Sequence, residues 1–190
     1  MTKRIVVTGG PGGGKTTAVD LFRREIGDAV VVVPEAATLL FSGGFPRSDE
    51  PSARRAAQRA IFHVQRNLED AQAALYPGRA LLCDRGTLDG FVYWPDGKDG
   101  FHRELGTSES EELDRYDAVI FFETAAASDL FVEGPNPIRT ESRAQAVALD
   151  RALRTVWERH PHFHLVPHDP SFLKKLERGL AMLADVLRTH

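Results

Sequence analysis

Cysteine is almost missing from this chain. Cys83 is the only one, which excludes a disulfide framework, and it lies in an apolar stretch. No apolar run approaches the length needed to cross a bilayer, so no membrane span is expected. The N-terminus runs directly into apolar residues and leaves no room for a signal peptide. With the lone cysteine, this points to a reducing cytoplasm. An excess of positive charge is missing too: 24 Lys and Arg against 27 Asp and Glu give a net charge of −3 and a pI near 6.2. Nothing in those totals attracts nucleic acid. No repeat, linker or low-complexity segment interrupts the 190 residues, and a second full domain does not fit. One domain over 1–190 is expected, large enough for a sheet covered on both faces; its oligomeric state is left open.

Glycine, in contrast, is concentrated at one place. Gly9-Gly10-Pro11-Gly12-Gly13-Gly14-Lys15-Thr16 completes the G-x-x-x-x-G-K-[ST] pattern of a phosphate-binding P-loop. It is preceded by a short apolar strand, Lys3 to Thr8, and followed by a helical pattern from Thr17 to Ile26, the strand-loop-helix setting that the motif requires. Glycines let successive backbone N–H groups turn toward phosphate oxygens, and the helix N-terminus adds its positive dipole end. Residues Gly9 to Thr17 are therefore the expected nucleotide-binding set. Lys15 reaches the β- and γ-phosphates, and the Thr16 hydroxyl binds Mg²⁺. ATP and Mg²⁺ are the expected cofactors, with GTP open as the alternative nucleotide.

Five apolar segments read as strands: Arg4 to Thr8, Ala29 to Pro34, Ala80 to Asp84, Ala118 to Glu123 and Phe163 to Val166. Their nearly unbroken apolar character suits a parallel sheet buried on both faces, with helices between the strands, and predicts an α/β three-layer fold. A long helix is predicted over Pro51 to Tyr76 from Ala57, Ile61, Val64, Leu68, Ala71 and Leu75. Tyr93 to Gly106, with Pro95, Gly97 and Gly100, reads as a mobile loop, and Thr140 to His160 as a helix. Phe172, Leu173, Leu176, Leu180, Leu183 and Leu187 give the last helix, Pro170 to Leu187, an apolar stripe expected in the core.

In an open parallel sheet the ligand crevice lies beyond the carboxyl ends of the strands. Asp84 ends the third strand in the manner of a Walker B acid and is the expected magnesium-side partner of Thr16; Glu123 is its competitor. Arg85 adjoins it and can meet phosphate charge. Glu35 either accepts the proton of a substrate hydroxyl or is a helix-start acid stabilised by the dipole. Asp84 is the other candidate base, and Asp89 points into the cleft or into solvent. Arg139 and Arg143, spaced i, i+4, suit a lid over 125–145 or a solvated basic face. Gln58 and Gln65 on the long helix either read a base or sugar or are solvated. The expected catalytic set is Lys15, Glu35, Asp84, Arg85, Arg139 and Arg143.

There is no Asn-Lys-x-Asp guanine-reading motif, and a ring-forming ATPase would need a helical lid domain that the chain does not supply. Taken together, the P-loop, Pro34-Glu35, Cys83-Asp84-Arg85-Gly86-Thr87-Leu88-Asp89-Gly90 and Asn136-Pro137-Ile138-Arg139-Thr140-Glu141 resemble a small family of AAA-type P-loop ATPase/kinase domains. That family includes the ribosylnicotinamide kinase domain of the bacterial NAD regulator and a eukaryotic photoreceptor-trafficking ATPase domain. The resemblance runs from Ile5 to about Leu187. More distantly, Asp84-Arg85 is similar to the Asp-Arg pair of thymidylate and deoxynucleoside kinases. The resemblance implies strand order 2-3-1-4-5 and assigns Arg139 and Arg143 to a lid. The leading expectation is a Mg-ATP-dependent kinase acting on a small hydroxylated molecule such as a nucleoside or nucleotide. The alternative is a nucleotide-dependent ATPase or GTPase switch, or a binding module, that works through a protein or lipid partner.

Overall fold

Successive residues of the first strand feed two different cores. In β1 (Arg4–Thr8), Ile5 and Val7 pack into one cluster and Val6 into another, all fully buried, as period-two alternation requires of a strand covered on both faces. The computed structural model describes residues 2–127 and 142–189. It places β1 at the centre of a five-stranded, all-parallel sheet with β2 (Val30–Val33), β3 (Ala80–Asp84), β4 (Ala118–Phe122) and β5 (Phe163–Val166). The order β2-β3-β1-β4-β5 is the one the resemblance implies. The register sets Val7 beside Asp84 and Thr8 beside Phe121, so the carboxyl ends of β3, β1 and β4 finish along one edge.

Helices α1 (Lys15–Ile26) and α8 (Phe172–Thr189) cover the face that receives Ile5, Val7, Leu82 and Ile120. Helices α3 (Pro51–Leu75) and α7 (Arg143–Trp157) cover the other, where Val6, Leu81, Cys83 and Phe121 meet Phe62, Leu153 and Trp157. Short helices α2 (Ala36–Ser42), α4 (Asp89–Val92), α5 (Gly97–Leu105) and α6 (Glu109–Leu113) fill the connections. Among the described residues, no helix is long and apolar enough to cross a membrane.

Three expectations need correction. The stretch read as a mobile loop is largely α5, because Phe101 is fully buried edge-on against Phe62, Phe91 and Trp94. Gly100 is a packing residue there: a side chain would meet the Trp94 indole nitrogen at 2.9 Å. The buried face of α3 is turned from the predicted stripe. It runs through Ala57, Gln58, Phe62, Gln65 and Glu69, while Leu75 is 69% exposed. At the start of α8, Phe172 and Leu173 are exposed, and only Leu176 and Leu183 of the predicted stripe are fully buried. Helix α7 begins at Arg143, with Ser142 as its capping-box N-cap. Arg139, with the rest of 128–141 in the expected lid, lies outside the described residues.

Candidate functional site

The P-loop leaves β1 at Gly9, whose φ of 138° favours glycine and whose Cβ, were one present, would stand 2.0 Å from the Phe122 carbonyl oxygen. The loop is thus pressed against the end of β4. It runs into α1 through Gly14, which has no side chain to cap the helix, and the first turn of α1 carries no acid. The helix's N-terminal N–H groups are left without a side-chain cap, the state that suits a phosphate ligand. Lys15 is buried and rests its ammonium on the Gly10 carbonyl at 2.7 Å.

The loop is held from outside its own sequence. The Asp150 carboxylate, on α7, accepts from Gly10 N at 2.8 Å and from Thr124 N at 3.0 Å through a single oxygen. Thr124 in turn donates to the Pro11 carbonyl. Burial raises the Asp150 pKa, and the two N–H donors oppose that rise. Asp150→Leu, leaving two buried N–H groups without an acceptor, should lower stability by about 2–4 kcal/mol in urea unfolding. Asp150→Asn, which keeps the accepting oxygen, should lose far less.

Asp84 and Arg85 point in different directions from the tip of β3. The Asp84 carboxylate, buried, accepts from the Thr16 hydroxyl at 3.2 Å. Burial first, then the neighbouring Glu35, raise its pKa, against the pull of Arg85, Lys15 and Thr16. A hydroxyl and a carboxylate in contact form a hard-oxygen pair that fits Mg²⁺, which takes few protein ligands and completes its shell with water and phosphate. Glu123, the competing acid, is instead turned toward β5, where it accepts from His168 N at 2.8 Å and faces Arg154.

Arg85 is the only non-glycine among the described residues with positive φ, at 75°. Its guanidinium pairs with Glu35 and with Asp89, the latter at 2.7 Å. Burial favours its neutral form, but Glu35, Tyr93 and Asp89 outweigh that and keep it charged. Burial also works against the charge on Glu35, yet Arg85, Thr38 and Lys15 hold its carboxyl below the usual range. Asp89, expected either in the cleft or in solvent, is a buried hub: it accepts from Thr8 Oγ1, Trp157 Nε1 and Arg85 at once. It thereby joins the root of the P-loop to α7 and to the arginine.

Beside this cluster opens a cavity of about 890 Å³. Pro11 of the P-loop, Glu35, Arg85 and Asp89 form one end, α3 supplies Arg54, Gln58, Phe62 and Gln65, and α7 supplies Gln145, Ala148 and Leu149. Gln65 is buried and bonded to Glu69 and to the Arg85 carbonyl. Gln58 is 8% exposed and has no hydrogen bond within the described residues. Gln65 is therefore not solvated, whereas Gln58 opens onto the cavity. Arg143 donates Nε to the Ala126 carbonyl at 2.7 Å, two residues past Thr124.

Lys15, Thr16, Glu35, Asp84 and Arg85 are therefore brought together, and Glu123 is not. Sequence reasoning missed Asp150, Thr124 and Thr8 as supports of the loop. Asp150 sits mid-helix, 140 positions from the loop it anchors, with no local signal.

The AAA domain family model matches residues 4–170. No curated protein matches the sequence. Among solved structures, the thymidylate kinase from Ehrlichia chaffeensis has a similar fold, with a TM-score of 0.62, 16% sequence identity and 99% of each chain covered.

Proposed function

Because the chain belongs to the AAA domain family, we propose that it is a Mg-ATP-dependent kinase that transfers the terminal phosphoryl group to a hydroxyl of a small molecule such as a nucleoside or nucleotide. The observation that carries this reading is the cavity of about 890 Å³ beside the P-loop, which leaves room for an acceptor next to Glu35 and Arg85. The thymidylate kinase fold and the resemblance to ribosylnicotinamide kinase domains both favour a nucleoside-like acceptor.

In this reading Lys15 and the loop amides of Gly9 to Thr17 hold the phosphates, and Thr16 and Asp84 hold Mg²⁺. The ion, when bound, offsets charge on the phosphate oxygens. Glu35, ionised because Arg85 and Thr38 prevail over its burial, takes the proton of the attacking hydroxyl as that oxygen bonds to the terminal phosphorus and the bond to the departing ADP breaks. Arg85, fixed by Asp89, offsets charge on the transferred group, while Arg143 is assigned a supporting role through its bond to the Ala126 carbonyl. The switch reading rests on the unassigned acceptor and on a mobile loop at 93–106; the second support is gone, because that stretch is largely helix α5.

The test is a phosphoryl-acceptor screen with labelled ATP and GTP, beside a control without acceptor. Acceptor-dependent product is expected; hydrolysis unaffected by any acceptor would overturn the kinase. Gln58 supplies a second check, since its side chain lines the cavity and has no hydrogen-bond partner among the described residues, which leaves its carboxamide for the ligand. Gln58→Leu should raise the acceptor KM about 10-fold or more while leaving that of ATP within about twofold.

A further inference from the structure

Lysine is among the residues least expected in a core, yet Lys175 of α8 is only 2% exposed. Its ammonium donates to two main-chain carbonyls, Gly13 at 2.8 Å and Glu123 at 2.5 Å, and stands 5.6 Å from the centre of the Phe122 ring. Gly13 belongs to the P-loop, and Glu123 follows β4. A loop that turns its N–H groups toward phosphate turns carbonyls outward. Here an outward carbonyl faces a strand end that already presses the Phe122 carbonyl against Gly9 and Gly13. Carbonyl oxygens crowded together repel one another, and an ammonium between them reverses the sign.

The two loop lysines differ in what binding asks of them. Lys15 rests on the Gly10 carbonyl and must leave it to touch a phosphate. Lys175 is held behind the loop and has no phosphate to reach. We propose that Lys175 is a positioning residue that fixes the P-loop in its phosphate-binding shape and adds a second positive charge behind it. This rests on the nucleotide binding proposed above.

The charged groups facing Lys175 are Asp150 from α7 and Glu123 from the end of β4, with Lys15 the other cation of the loop. Burial outweighs both carboxylates and lowers the Lys175 pKa to about 8. The ammonium is therefore lost as pH rises through that value. Over the same range the ATP γ-phosphate is already ionised and an ordinary lysine still charged.

The experiment is calorimetric titration of ATP, and of GTP, without Mg²⁺ between about pH 7 and pH 9. Wild-type protein should bind progressively more weakly as pH passes about 8, by roughly tenfold across the range. Lys175→Met should bind about tenfold or more weakly at neutral pH and show no further fall. Lys175→Arg, which cannot lose its proton there, should keep most of the affinity and lose the pH dependence. A role in stability alone would lower the melting temperature of both variants while the wild-type affinity stayed flat with pH. That flat profile overturns the proposal, and reading it needs no variant to fold. Wild-type protein that binds neither nucleotide would remove the kinase reading as well, whereas normal, pH-independent binding would remove only the role of Lys175.

Discussion

Lys15→Ala should weaken binding of a nucleoside triphosphate by about a hundredfold or more and take phosphoryl transfer with it. The Lys15 ammonium is buried against Gly10 O, and its charge pulls down the pKa of both Asp84 and Glu35. Removing it leaves those two acids facing each other with only Arg85 between them. Titration of ATP into the variant, with and without Mg²⁺, measures the loss. Retained affinity and turnover would contradict the assignment of the loop. Lys15→Arg should not rescue function, because a planar guanidinium does not reproduce the compact ammonium in a pocket closed on all sides.

Asp84→Asn should separate activity from stability. Transfer should fall about a hundredfold or more, because the amide neither carries the charge that Mg²⁺ needs nor holds the ion beside Thr16. ATP affinity without Mg²⁺ should change little. Stability should move the other way. Burial raises the Asp84 pKa in the folded protein, so the fold favours the protonated acid, and this contribution is lost as pH rises through the folded value. Once ionised, Asp84 is a charge that the protein's own interior disfavours, and the amide removes it. Urea midpoints should be higher for Asp84→Asn near neutrality, with the gap closing as acid protonates Asp84 in the wild type. A midpoint lowered at every pH, with transfer and Mg²⁺-free affinity falling together, would make Asp84 a structural residue.

Much of the fold and part of the site were legible in the residues. Five apolar runs became five parallel strands, because an unbroken valine- and isoleucine-rich run has few other ways to be buried on both faces. Glycine spacing located the phosphate loop because its chemistry is local. What misled was glycine and polarity in tertiary settings. Gly97 and Gly100 suggested mobility, but the aromatic cluster around Phe101 supplies the order that glycine lacks. Along α3 the helical period was right and the face was not. The buried Glu69 is satisfied by Gln65 one turn back on the same helix and by Arg115 and Tyr116, which come from a distant segment and leave no trace in the helix's own pattern. The same holds for Asp89, which the sequence leaves open between cleft and solvent until Thr8, Arg85 and Trp157 converge on it.

Helix α7 carries Asp150, which grips the phosphate loop at Gly10, and one and five residues closer to its N-terminus Leu149 and Gln145 border the cavity. Two ligands that lean on one rigid rod share its free energy. Any displacement of the rod that an acceptor favours or resists is felt at the loop amides, and thermodynamic linkage makes the exchange reciprocal. Whatever factor a bound nucleotide applies to acceptor affinity, the acceptor must return to the nucleotide, so a mutation at the 145–150 stretch retunes both affinities at once.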